Sequence, residues 1–132
     1  ELIHSSVNDF LNHETHESIK RFSDILLLGH DWSEDQDRLL GLLKLCQEND
    51  ASLDGVSFPR IGVIGSRSKW HAFSKAAQNK GIRVKLLDQV ICPIGINIGA
   101  ESPEEIAIAV TAQILSLLKG VSPDEKNWRG SN

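Results

Sequence analysis

The sequence predicts an α/β fold with a mainly parallel sheet flanked by helices, shortened relative to a complete doubly wound domain. Two short, unbroken apolar runs carry much of this expectation: Asp24-Ile-Leu-Leu-Leu-Gly-His30 and Arg60-Ile-Gly-Val-Ile-Gly65. Each is closed by a glycine, as strands buried on both faces of a parallel sheet often are. A helical pattern follows each run, and strands alternating with helices build parallel sheets. Only three strand candidates can be found, whereas a complete doubly wound sheet has about five or six.

The elements follow in order. Ser6 to Arg21 is polar and His-rich, with Val7, Phe10, Leu11 and Ile19 as its apolar positions, and reads as a helix. The first strand is the Asp24 run. Ser33 then resembles an N-cap with acids in the first turn, and Leu39, Leu40, Leu42, Leu43 and Cys46 recur at helical spacing. Residues 49–59 form a loop carrying Gly55 and Pro59 before the second strand. Ser66 to Asn79 reads as a helix stopped by Gly81 in the C′ position. Arg83-Val-Lys-Leu-Leu87 partly alternates and predicts a third strand nearer the sheet edge. After a Gly-rich loop, Ser102-Pro-Glu-Glu105 is a strong helix start, with Ser102 as N-cap, Pro103 at N1 and Glu105 completing a capping box. That helix runs to about Lys119, where Gly120 stops it. Its apolar residues occupy much of the circumference, so deep packing is expected. Residues 1–120 are read as one domain and 121–132 as a polar tail.

The bulk composition excludes several classes. At 132 residues the chain suits one domain with a real core. A net charge of −4 argues against general nucleic-acid binding, which needs a basic face. No apolar run approaches the roughly 20 residues that span a bilayer, and no secretory signal is visible at the start. The two cysteines, Cys46 and Cys92, form no CxxC motif, which points to a reducing cytoplasm rather than a disulfide framework or zinc site. Cys46 falls on an apolar helix position and reads as core. His13 and His16 stand three apart, but two imidazoles are too few for a metal site and are read as surface.

Three constellations have chemical potential. The first, Gly62-Val-Ile-Gly-Ser-Arg-Ser-Lys69-Trp70, lies at a strand-to-helix junction. Gly65 permits a tight turn, and the helix start supplies free N–H groups. Ser66, Arg67 and Lys69 add donors and positive charge, making a phosphate-type anion site. A tight turn with solvated Arg and Lys accounts for the same residues. Neither a Walker A ending nor GxGxxG is present. The second is Gly29-His30-Asp31, at the end of a buried strand, where ligands of open α/β sheets collect. His30 could donate to a ligand or move a proton, with Asp31 or Asp35 setting its tautomer, or could cap the local backbone. The third is Pro93-Ile-Gly-Ile-Asn-Ile-Gly-Ala100, in which Gly95 and Gly99 let the backbone approach a ligand or a neighbouring strand. A turn that docks the last helix explains it equally. Cys92 beside it reads as a small buried hydrophobe before a sulfur contact.

These motifs, in this order, resemble the C-terminal, Rossmann-type domain of the XdhC/CoxI family. The resemblance rests on Gly29-His30-Asp31 with Asp35 and Leu39, on Ile61-Gly-Val-Ile-Gly-Ser-Arg-Ser-Lys69-Trp70, and above all on the long stretch from Pro93 to Ala107. It spans about Asp24 to Gly120. Members are accessory factors that mature molybdenum hydroxylases such as xanthine dehydrogenase. The resemblance implies a carrier, not a catalyst, that binds molybdenum cofactor (molybdopterin) while a separate cysteine desulfurase supplies its terminal sulfur. It further implies His30, Asp31, Gly65, Ser66, Arg67, Lys69, Pro93, Gly95 and Gly99 as the cofactor-binding set. The family's opening strand with its GxGH-type turn and its N-terminal Cys-Ser-Gly-Gly domain have no counterpart in this sequence. A homo-oligomer, or pairing with a missing half-domain, is therefore expected. A nucleotide-binding module or NAD-linked enzyme, and a ligand-free interaction domain, are the rival readings.

Overall fold

A computed structural model describes residues 11–29 and 31–123. The chain divides into two compact units, Glu1–Pro93 and Ile94–Asn132.

The first unit is built on a short parallel sheet. Strand β1 (Asp24–Leu27) pairs with β2 (Arg60–Val63) in the register Asp24 to Arg60 through Leu27 to Val63. The register is clamped at its start by a half-buried bidentate pair. Arg60 Nε and Nη2 donate to the two Asp24 carboxylate oxygens at 2.8 and 3.1 Å. A parallel bridge joins Gly62 to Ile91: Ile91 N–H donates to Ile61 and Val63 N–H donates to Ile91, each at 2.9 Å. β2 is thus the central strand, and Ile61, Gly62 and Val63 are buried. This is the shortened Rossmann-like α/β arrangement expected, a parallel sheet flanked by helices.

β1 departs from the expectation of burial on both faces. Only Leu27 is buried, and Leu28 just beyond it is 54% exposed. Among the described residues no strand pairs with its outer side, so apolar residues that suit a central strand stand at an edge.

The expected third strand at Arg83–Leu87 is instead a single helical turn, α4 (Val84–Leu87), with Leu86 and Leu87 buried. The residue pairs 83/86 and 84/87 satisfy one helical turn as well as partial alternation satisfies a strand. The extended segment beside β2 comes four residues later, at Ile91.

Helix α2 (Trp32–Glu48) turns Leu39, Leu42, Leu43 and Cys46 into the core, as its spacing predicts. Its N-cap is Asp31, not Ser33. The Asp31 carboxylate accepts from Ser33 N at 2.8 Å and reaches Glu34 N, so the helix starts two residues earlier than expected. Helix α3 (Arg67–Asn79) has Ser66 as N-cap and buries Phe73 and Ala77, and Gly81 follows its Lys80 C-cap at φ +86°.

The opening helix is interrupted. Residues 11–13 are helical, and a new turn, α1 (His16–Ile19), begins at Thr15 with its own capping box to Ser18. The Ser6–Phe10 part of the expected helix lies outside the described residues. His13 is exposed as expected, but His16 is half-buried, its ring stacked on Phe58 with centroids 6.2 Å apart.

The second unit is a loop and helix α5 (Pro103–Lys119). The capping box between Ser102 and Glu105, Pro103 at the start and the Gly120 C-cap at φ +66° are as predicted. Deep packing is not. Only Ala109 and Val110 of this helix are buried, while Ile108, Leu115 and Leu118 are exposed. Among the described residues of its own unit, the helix has only a short loop to pack on. Ile96 N–H donates to Ala109, and Gly95 N–H donates to Gln113 Oε1 at 2.6 Å.

Candidate functional site

The carboxyl ends of β1 and β2 lie side by side because the strands are parallel and in register. This brings Gly29 and Asp31 to the same edge as the Gly65–Arg67 turn. Ile64 N–H donates to Leu27 at 3.0 Å, carrying the pairing to the last residue before Gly65. Ile91 runs parallel beside Gly62, so Pro93 reaches the same edge. His30 lies outside the described residues. Gly95 and Gly99 belong to the second unit.

The two turns are tied together by a buried ion pair. Lys69 Nζ donates to Asp35 Oδ2 at 2.9 Å and to the Ile64 carbonyl at 2.7 Å. Asp35 is completely buried and Lys69 is 4% exposed. Arg38 adds a longer contact of 3.4 Å to the other Asp35 oxygen. Both glycines make room for this pair. A Cβ on Gly29 would overlap the Asp35 carboxylate, and one on Gly65 would lie 2.5 Å from Lys69 Cδ. Replacing water around two buried charges is costly unless geometry is good and the remaining donors are met. The Ile64 carbonyl meets one of the three ammonium protons.

Lys69 is therefore placed differently from a free anion donor: its ammonium is directed inward at Asp35. Asp31 is likewise engaged, its carboxylate accepting from the Ser33 hydroxyl at 2.9 Å as well as from backbone. The hydrogen bonds from Ser33 and Glu34 hold the Asp31 carboxyl below the usual carboxylate range. The Asp35 carboxylate lies against Gly29 and faces Lys69 and Arg38; its expected pairing with His30 falls on a residue outside the described ones.

The two helix starts differ in charge. α2 begins with Asp31, Glu34 and Asp35, which already satisfy its positive end. α3 has no acid in its first turn. Ser66 Oγ accepts from Lys69 N at 3.2 Å, leaving the Arg67 and Ser68 N–H groups as the unsatisfied donors of the first turn. Ser66, Arg67 and Ser68 are exposed, and the Arg67 guanidinium has no partner among the described residues. The donor set at this edge comprises two N–H groups, the Ser66 hydroxyl proton and a guanidinium, a combination that suits a phosphate oxygen cluster.

Cys92 is half-buried against the core. Burial raises its thiol above the ordinary value, and the Lys69 charge lowers it in part. Such a thiol is mostly protonated and a weak nucleophile at neutral pH, in keeping with the hydrophobe reading.

The Asp35–Lys69 pair escaped the sequence reading as a pair. One signal was present: Lys69 is the third residue of its helix, where the helix dipole disfavours a cation and favours an acid. A cation there without local acids indicates a partner from elsewhere in the fold. Nothing local marks Asp35 as that partner, because it resembles the exposed acids of any first helical turn.

Comparison with known proteins adds to this geometry. The chain matches the family model of the XdhC Rossmann domain over residues 3–114. It is 40% identical over 57 residues to the uncharacterized protein YqeB of Escherichia coli strain K12, a stretch covering 43% of this chain and 10% of that protein. It is similar to the crystal structure of a xanthine dehydrogenase from Bacillus halodurans, with a TM-score of 0.62 and 23% identity, covering 95% of this chain and 31% of that one. At that identity the likeness concerns the fold. The chain spans a small part of the length of either protein.

Proposed function

This chain belongs to the XdhC Rossmann-domain family, and from that premise we propose that it serves in a maturation factor for a molybdenum hydroxylase such as xanthine dehydrogenase. Its part is to hold the phosphate end of molybdenum cofactor at the strand-end edge. The observation that carries this reading is the exposed Arg67, without a partner among the described residues, beside the unsatisfied N–H groups of Arg67 and Ser68. A phosphate or pyrophosphate, the group molybdopterin carries, finds there donors and positive charge together. When bound, the cofactor brings the molybdenum chemistry that the client enzyme uses; this chain's residues bind and orient it.

The roles divide accordingly. Gly65, Ser66 and Arg67 contact phosphate, while Lys69 acts through Asp35 to hold the turn in shape. Asp31 and Pro93 border the same edge, and His30 is proposed to donate toward the bound ligand. Gly95 and Gly99, at φ +123° and +71°, keep a proposed role in backbone approach to the cofactor. A separate cysteine desulfurase supplies sulfur, so this chain is a carrier. Two free cysteines fit a cytoplasmic setting. Among the described residues no helix is long and apolar enough to cross a membrane.

Calorimetric titration tests the reading. Wild-type protein should bind pyrophosphate and molybdopterin saturably, and Arg67→Ala should weaken both about tenfold, the range of a charge-assisted hydrogen bond. Unchanged affinity in Arg67→Ala removes the anion turn. Saturable binding of NAD, without binding of the pterin, favours a dinucleotide module instead.

A further inference from the structure

We propose that Trp32 is an aromatic platform on which a planar heteroaromatic ring stacks while the phosphate attached to it sits at the Gly65–Arg67 turn. The phosphate half of this inference rests on the reading above; the ring half rests on Trp32 alone.

Trp32 is the first residue of α2, directly after the Asp31 cap. It is 49% exposed and is the one aromatic side chain among the exposed large hydrophobics described. Phe73 packs against part of the indole, and about half of the side chain remains in solvent. The position matters: α2 begins where β1 ends, so the indole stands at the same strand-end edge as the anion turn.

Its orientation is held rather than loose. The ring meets Phe73 nearly perpendicularly, with centroids 6.4 Å apart and planes at 80°. Phe73 is buried and belongs to α3, the helix whose N-terminus carries Ser66 and Arg67. Lys69 Nζ lies 5.4 Å from the centre of the same Phe73 ring. Trp32 is thereby braced against the element that presents the phosphate donors. In a perpendicular pair at least one indole face is left uncovered by Phe73, whichever ring offers its edge. The Asp31 hydrogen bonds to Ser33 and Glu34 secure the backbone beneath it. A half-exposed ring, braced on Phe73 at the strand-end edge that also carries the phosphate turn, suits a flat aromatic base with a short phosphate arm. Pterin phosphates and purine nucleotides share that chemistry.

Three probes separate the possibilities: 6-hydroxymethylpterin pyrophosphate, ADP and inorganic pyrophosphate. Calorimetry gives affinities. Fluorescence is read in a Trp70→Phe, Trp128→Phe background, where Trp32 is the sole tryptophan. At least one ring-bearing probe should bind about tenfold more tightly than pyrophosphate, as stacking on an aromatic side chain gives, and should quench Trp32. Trp32→Ala should abolish that advantage while leaving pyrophosphate affinity unchanged, and Trp32→Phe should keep most of it. The tighter of the two ring-bearing probes identifies the ring. Ring-bearing probes that bind no better than pyrophosphate, or an advantage that survives Trp32→Ala, overturn the platform and leave the anion turn standing. Ring binding that depends on Trp32 but not on Arg67 supports the platform and overturns the anion turn. If none of the three binds, both fall.

Discussion

At the scale of single residues, the pair that governs the candidate site is Asp35–Lys69. Two buried charges hold each other, and the glycines at positions 29 and 65 let them come close beneath the two turns. Removing one member leaves the other buried and unpaired, which typically costs about 3–5 kcal/mol. Lys69→Met should therefore lose stability of that order in urea unfolding. The double replacement Asp35→Leu, Lys69→Met should be more stable than Lys69→Met, because it leaves no orphaned charge. A single variant within about 1 kcal/mol of wild type, the range of exposed pairs, would mean the pair is open to solvent. Pyrophosphate binding should fall in the double variant even if it folds well, since the Gly65 turn then loses the side chain packed against it.

At the scale of elements, the loop before β2 has a titrating anchor. Asp54 accepts from Val56 N and Ser57 N at 2.8 and 2.7 Å, and from the Ser52 hydroxyl at 2.8 Å. The two backbone hydrogen bonds lead in lowering its carboxyl to about 2. An unfolded aspartate titrates near ~3.9. A folded value below the unfolded one contributes stability that is present above about pH 4 and lost as pH falls through about 2. Asp54→Asn should thus be less stable than wild type at pH 7, with the difference closing between those two values. Asp54 is exposed, so solvent screening keeps the effect small. Parallel stability curves across that window, measured by thermal melts, would exclude Asp54 as the loop's anchor.

At the scale of the whole molecule, the outer side of β1 is the feature that calls for a partner. Among the described residues no strand pairs with this side and Leu28 is exposed, and an unpaired apolar strand edge invites pairing. A second copy of the chain can add a strand to such an edge. Sedimentation velocity at tens of micromolar should show species heavier than the 14.6 kDa monomer. Leu28→Lys should shift the distribution toward monomer without unfolding the core. A wild-type monomer at every concentration counts against self-pairing through this edge.

Much of the outcome was determined by the sequence itself, because it depended on local chemistry. The apolar runs made β1 and β2, Ser66 and Ser102 capped their helices, and Gly81 and Gly120 ended them, each through interactions within a few residues. The motif order also carried the family. What lay beyond local chemistry was decided only in the folded chain. Four residues at 84–87 suit a helical turn or a strand equally, and burial of Leu86 and Leu87 chose the turn. The all-round apolar surface of α5 predicted burial, but burial depends on what a helix has to pack against, and its own unit supplies little. Lys69 read as an anion donor because its charge was visible and its partner, 34 residues away, was not. The tertiary structure turned it inward to Asp35, left Arg67 exposed without a partner among the described residues, and set Trp32 against Phe73 of the same helix as both.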